Sequence, residues 1–238
     1  MKTDALEIVA GSKSAPLMLT CEHASLRLPE PWRWPEADLP LVGTHWSFDL
    51  GAEDLTREMA AASGATAILS RFTRLLVDPN RPLDSPTLFR DVADGNPVAL
   101  NQHIDDDDRG HRIAYYDAYH RALADLATQA PPLLLSIHTF TPVYEGQRRQ
   151  VDLGILFDSA EEEARQVLEA LLDTGLQVEL NQPWSGRNGL MYSVESHATR
   201  NSRRALEIEL RQDHATDPEF RQWFVPRLLE AMTRLVVP

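Results

Sequence analysis

The chain has 238 residues, 43% of them apolar and 25% charged, the composition of an ordinary folded globule long enough to bury a generous core. Its formal net charge of -13 argues against non-specific binding to nucleic acid or to an anionic membrane surface, both of which need basic surface. A single cysteine, Cys21, rules out a disulfide within the chain and points to a reducing, cytoplasmic setting. The opening residues carry Asp4 and Glu7 where a signal peptide would have an apolar centre, and no apolar stretch approaches membrane-spanning length.

In chain order, residues 16–21 read as a buried strand running into Glu22 and His23. Residues 25–40 hold Pro29, Pro31, Pro35 and Pro40 with Trp32 and Trp34, which forbids a long helix and leaves an irregular excursion. Residues 50–63 have the helical period, with Leu55, Met59 and Ala62 on one face and Gly64 placed to cap the end. Residues 66–69 and 75–77 read as short strands, the second closed by the turn DPNRP at 78–82. From 83 to 102 no period holds, and a loop of that length inside a domain is often a functional lid. A long amphipathic helix over 109–130 is marked by Ile113, Tyr116, His120 and Leu123, and the acidic residues 105–108 before it suit a helix N-terminus. There follow a strand ending at His138, a strand over 151–157, a helix over 160–173 and a short strand over 176–180. A Pro/Gly-rich loop over 181–189, a strand over 205–210 and a closing helix over 218–235 complete the chain. Strands alternating with helices, several strands being apolar throughout, predict one α/β domain over residues 1–238. Its sheet is mixed or mostly parallel, with helices on both faces.

The run LLLSIHTFTP ends a buried strand on His138, at the carboxyl edge where open α/β sheets bind ligands. APLMLTCEHAS repeats the pattern with Glu22 and His23, and ALEIELRQD puts Glu207 and Glu209 on one face of a strand. Strand-end histidines with strand-borne carboxylates suggest a metal-assisted hydrolase. Hydrolytic zinc sites take three ligands from His, Asp and Glu and keep an open position. The candidates are His23, Asp49 and His138, with Glu22 in reserve. The alternative is a pair of satisfied core histidines, with Asp49 a cap on the 50–63 helix. A carboxylate on a core strand is costly unless it is paired or functional. Glu207 and Glu209 are therefore either ion-paired, for instance with Arg204 or Arg211, or one of them is a general base. Arg71, Arg74 and Arg81 offer guanidinium forks to an anionic substrate, Arg81 from a turn at a strand end. His45 and His197 read as loop histidines, with a surface role as the default and orienting a ligand or contacting substrate as the alternative. His103, His111, His120 and His214 read as structural, and Cys21 as a small core residue.

Taken in order, CEHAS, HWSFDLGA, SRFTRLLVDPNRP, SIHTFTP, NQPWSG and ALEIELRQD resemble the N-formylglutamate amidohydrolase-like family across residues 16–213. The resemblance implies a phosphorylase/hydrolase-like fold, shared with zinc carboxypeptidases and aspartoacylases, around one zinc ion. It implies His23 and His138 as the histidine ligands and Asp49 as the carboxylate ligand. The carboxypeptidase-type His-x-x-Glu is absent, since Leu26 stands third after His23. It selects Glu209 over Glu207 as the catalytic glutamate and assigns Asn80 and Arg81 to the substrate carboxylate. Arg74, with Arg71 beside it in the anion-binding set, would help polarise the scissile carbonyl. The implied activity is hydrolysis of the amide of a small anionic N-acyl amino acid such as N-formyl-L-glutamate. The alternatives are a carboxypeptidase-like small-peptide or cell-wall amidase, and a non-catalytic anion-binding relative that has lost the metal.

Overall fold

The computed structural model describes residues 1–12 and 14–235. Seven strands form one sheet: β1 (Leu6–Val9), β2 (Leu17–Cys21), β3 (Ala67–Ser70), β4 (Leu133–Phe140), β5 (Leu153–Leu156), β6 (Val178–Leu180) and β7 (Arg204–Arg211). Their order is β1-β3-β2-β4-β7-β5-β6. The central β3, β2, β4 and β7 are parallel, while β1 runs against β3, and β5 runs against β7 but parallel to β6. Four parallel strands side by side put four carboxyl ends on one edge, which is where loops can converge on a ligand.

Side chains alternate across the sheet with period two. Leu17 and Leu19, Leu133, Leu135 and Ile137, and Leu206 and Ile208 fill one face, against α1 (Ala52–Ser63), α3 (Glu161–Leu171) and α6 (Pro218–Thr233), with the short α5 (Gln212–Ala215) joining β7 to α6. Met18, Leu134 and Ala205 point to the other, beneath α2 (Asp106–Thr128) and α4 (Tyr192–Arg200). Covering both faces explains why the central strands read as continuous apolar runs. On the α2/α4 face the apolar set stops partway along. Thr20, Ser136 and Glu207 stand side by side in register, and one step further His138 faces Glu209. All five are buried. No described helix is long and apolar enough to cross a membrane.

Several local expectations are corrected. Residues 75–77 are not a strand but a turn, with Leu76 N–H donating to the Thr73 carbonyl. The apolar run is buried all the same, but β3, which precedes it, already has β1 and β2 on its two sides and offers it no free edge. β1 and α4 carry too weak a pattern to be read from sequence, and α4 takes His197 out of a loop and into a helix. β4 runs two residues past His138, to Phe140. A short hairpin, Val143–Tyr144 with Gln147–Arg148, follows it. Residues 83–102 hold turns and a two-residue hairpin, and are anchored rather than loose: the Asp38 carboxylate accepts from the N–H groups of Ala99 and Leu100. Residues 105–108 do form a helix start, with the Asp105 carboxylate accepting from Asp108 N–H at 2.8 Å.

Two glycines set the approach of loops to the site. Gly51, at φ 81°, begins α1 where a Cβ would meet the Ala215 carbonyl oxygen at 2.4 Å. Gly154 of β5 lies opposite Glu209 in the ladder, and a Cβ there would sit 1.9 Å from the Gln182 oxygen. Its bare backbone is what lets the 181–189 loop lie close beside Glu209.

Candidate active site

His23 follows β2, and its carbonyl accepts from the N–H of Asp49 at 3.0 Å. That contact fixes Asp49 just ahead of α1. Asp49 is not the cap of that helix, because Gly51 holds the cap position and no side chain caps it. The Asp49 carboxylate turns inward instead. Its Oδ2 lies 3.3 Å from His23 Nδ1 and 2.8 Å from His138 Nδ1. The two imidazoles meet edge to face, with centroids 4.6 Å apart. His23, Asp49 and His138 offer ligand atoms all within 4.8 Å of one another, and all three residues are buried. Such a cluster could hold a metal ion.

Each imidazole is backed by a second carboxylate. His23 Nε2 is 2.7 Å from Asp78 Oδ1, and His138 Nε2 is 3.1 Å from Glu22 Oε2. A ring N–H donated on the far side leaves the Nδ1 lone pair free, the arrangement that orients metal-ligating histidines. Glu22 also accepts from the hydroxyls of Ser136 and Tyr119, at 2.7 and 3.1 Å. Arg74 bridges the remaining oxygens, with Nη1 3.4 Å from Asp49 Oδ1 and Nη2 3.0 Å from Asp78 Oδ2.

Burial opposes charge on these acids, yet their partners win. The His138 and Ser136 hydrogen bonds hold Glu22 at about 2. The two imidazoles hold Asp49, and His23 with Arg74 and Arg81 hold Asp78, well below the ordinary carboxylate range. Burial would lower His138, but the charge of Glu207 and the bonds to Asp49 and Glu22 raise it far above an ordinary imidazole. Three ionised carboxylates around two imidazoles are a setting in which a divalent cation can displace protons.

Glu207 and Glu209 behave oppositely. Burial pushes Glu207 up to about 7 and Glu209 well above the carboxylate range, with neighbouring acids adding to the rise. Oε2 of each is buried without a hydrogen-bond partner. Glu207 Oε2 is 3.6 Å from His138 Nε2, and neither acid pairs with Arg204 or Arg211, which bind Glu163 and Asp152 instead.

The cluster opens on a cavity of about 400 Å³, lined by Glu207 and Glu209 and by Arg74, Asn80 and Arg81 among others. Arg71 is not brought there: its Nη1 donates to the Thr3 carbonyl, on the N-terminal segment. β3 ends at Ser70, and the two arginines, three residues apart in the turn that follows, leave the backbone in different directions. Asn80 borders the cavity, but its amide is occupied. Nδ2 donates to the Leu190 carbonyl at 2.9 Å and Oδ1 accepts from Ser193 N–H at 3.0 Å, tying the turn to the start of α4.

The cavity also gathers residues that sequence reading left outside the site: His45, Trp46, Arg90, Tyr144, Arg149 and Trp184. His45 is a half-buried wall residue, not a surface one, and burial lowers its pKa. The paired arginines of QRRQ ahead of β5 were a usable signal for Arg149; Arg90, in a stretch without period, had none. His197 is likewise no surface residue. It is buried in α4 with Nε2 3.0 Å from His120 Nδ1, and burial with its neighbours pushes it down to about 4. His120 in turn lies 3.0 Å from the Pro79 carbonyl, beneath the turn that carries Asp78 and Asn80.

The model of the N-formylglutamate amidohydrolase family matches residues 15–215. The chain belongs to that family. Its members are named for hydrolysis of an amide, and the chain is an amide-hydrolysing enzyme by that membership. No curated protein sequence matches it significantly. Among solved structures, the gene product Atu2144 from Agrobacterium tumefaciens is similar over 98% of this chain and 94% of that one, at 26% identity and a TM-score of 0.90. The N-formylglutamate amidohydrolase from Ralstonia eutropha JMP134 covers 98% of each chain at 18% identity and a TM-score of 0.72. The fold is therefore that of the family, an α/β sheet flanked by helices on both faces.

Proposed function

We propose that the chain is a single-domain, zinc-dependent amidohydrolase that cleaves a small anionic N-acyl amino acid, such as N-formyl-L-glutamate. The observation that carries this reading is the convergence of His23 Nδ1, His138 Nδ1 and Asp49 Oδ2 beside the unpartnered Glu209. The donor set fits a zinc ion: two imidazoles and one carboxylate, each imidazole braced from behind by Asp78 or Glu22. Family membership and the wall of arginines agree with an anionic amide substrate.

In this scheme His23, Asp49 and His138 hold the ion, and Glu22 supports His138 instead of serving as a ligand. A bound divalent ion would lower the pKa of a water and polarise the scissile carbonyl. Glu209 takes the proton of the attacking water and delivers it to the leaving amine. Its free Oε2 is open to the water, and its raised pKa favours the protonated form that delivers the proton to the amine. Arg74, lining the cavity between Asp49 and Asp78, offers its remaining N–H groups to the oxyanion. Arg81 receives the substrate carboxylate, and Asn80 holds the turn that presents it.

Elemental analysis of protein purified without chelators, together with a screen of N-acyl amino acids, tests the proposal. About one equivalent of zinc and turnover of at least one such amide are expected. Glu209→Gln should keep its zinc and lose two or more orders of magnitude in turnover. A chain that takes up no divalent ion and cleaves none of these amides is not this enzyme.

A further inference from the structure

Three guanidinium groups border the cavity without an acid to pair with. Among the described residues, Arg81, Arg90 and Arg149 form no ion pair, although Arg74 in the same wall has two. The chain holds 36 acidic residues against 23 lysines and arginines, so a shortage of carboxylates does not explain it. Unpaired, partly buried cations in one cavity are costly unless something anionic completes them.

The three fall into two groups. Arg81 and Arg90 come from the segment after β3 and lie in each other's field, together with Arg74. Arg149 comes from the other flank, between the short hairpin and β5. Since β2, β4 and β7 lie between β3 and β5, the metal-ligand cluster sits between the two cationic poles. Arg149 is also built into place. Its guanidinium carbon lies 4.7 Å from the ring centre of Tyr144, 5.0 Å from that of Trp184 and 5.3 Å from that of Phe140. Aromatic faces position a cation without using its in-plane N–H groups. Its hydrogen bonds are two long ones from Nη1 to Thr141, at 3.4 and 3.5 Å. A fork so held, with Nε and Nη2 free, is ready for bidentate recognition of a carboxylate.

We propose that Arg149, clamped by Phe140, Tyr144 and Trp184, reads a second carboxylate of the substrate, distinct from the one received by Arg81. The inference rests on the amidohydrolase reading and adds the residue that recognises the second charge of a dianionic substrate. The second carboxylate belongs either to the side chain of the amino acid or to a dicarboxylic acyl group, and the test separates the two.

The metal-loaded full chain and its Arg149→Gln and Arg149→Lys variants are compared on two substrate pairs. N-formyl-L-glutamate against N-formyl-L-glutamine removes a side-chain charge; N-succinyl-L-glutamine against N-butyryl-L-glutamine removes an acyl charge. The parent should prefer the dianion in one pair by about 10- to 100-fold in kcat/KM, chiefly through KM. Arg149→Gln should bring that ratio close to one, and Arg149→Lys should restore part of it. Binding of glutarate and butyrate, measured by calorimetry, makes the same comparison without turnover. Glutarate should bind the parent more tightly than butyrate, and Arg149→Gln should weaken glutarate by about tenfold or more. A folded Arg149→Gln protein that keeps the parent's ratios and glutarate affinity overturns the assignment, as does a parent with no preference for dianions in any of these pairs. Turnover of no amide, with glutarate binding still dependent on Arg149, would strike the amidohydrolase reading and leave the anion site standing.

Discussion

Glu22→Gln is the substitution that best tests how the cluster is held. Glu22 sits behind His138, taking Nε2 at 3.1 Å while accepting from Ser136 and Tyr119. Glutamine keeps the shape but has one acceptor oxygen instead of two, and turns an N–H₂ toward groups that themselves donate. The Glu22 carboxyl is held at about 2 instead of 4.5, which corresponds to about 3 kcal/mol in favour of the ionised form. The folded value lies below the unfolded one, so this contribution is in place above about pH 4.5 and fades as the pH falls toward 2. Removing it should destabilise the metal-free chain at pH 7 by about 2–3 kcal/mol, measured by urea unfolding. Outer partners of metal-bound histidines typically contribute 10- to 100-fold in affinity, about 1.4–2.8 kcal/mol. Zinc affinity, read by competition with a chromophoric chelator, should therefore fall by that factor in Glu22→Gln and far more in His138→Ala. Equal losses in the two variants would make Glu22 a direct ligand, and an unaltered zinc affinity would remove it from the site's support altogether.

Other perturbations have equally definite outcomes. Glu207 is raised to about 7, so the metal-free folded chain keeps a proton that the unfolded chain releases; its favourable contribution is present below about pH 4.5 and lost as the pH rises through 7. Metal-free Glu207→Gln should then melt near the parent at pH 4.5 and above it at pH 8, by up to about 3 kcal/mol; a difference that fails to widen with pH contradicts the shift. Gly154→Ala places a methyl 1.9 Å from the Gln182 oxygen, so the loop bearing Trp184 must move; kcat/KM should drop by about tenfold or more while zinc content holds. Leu135→Ala empties a fully buried position under α1 and α6 and should cost about 2–5 kcal/mol in urea unfolding.

Much of the architecture was legible because burial on both faces writes itself as apolar runs. β2, β4 and β7 are such runs, and α1, α3 and α6 show helical spacing beside them. Where burial and hydrogen bonding part company, sequence misleads. Leu75, Leu76 and Val77 are as apolar and as buried as any strand, but the strand they follow, β3, has both of its edges taken by β1 and β2. α4 was invisible because its buried face mixes Val194 and Ala198 with the polar Ser193 and His197, the last set against α2.

The sequence alone determined which residues carry unusual chemistry: histidines at the ends of β2 and β4 and glutamates on β7 are expensive in a core, and period two puts Glu207 and Glu209 on one face. Only the tertiary structure decided what each meets. Strand order places β4 between β2 and β7, which brings His23, a residue 115 positions earlier than His138 in the chain, to within one ring of it. It turns Glu22 and Asp78 behind the imidazoles, sends Arg71 away, and gathers Arg149 from one flank and Arg90 from a stretch with no pattern to announce it. The physical reason is that hydrophobic periodicity reports which way a side chain faces within its own element. Partners drawn from distant elements depend on how the elements pack, and no local spacing encodes that.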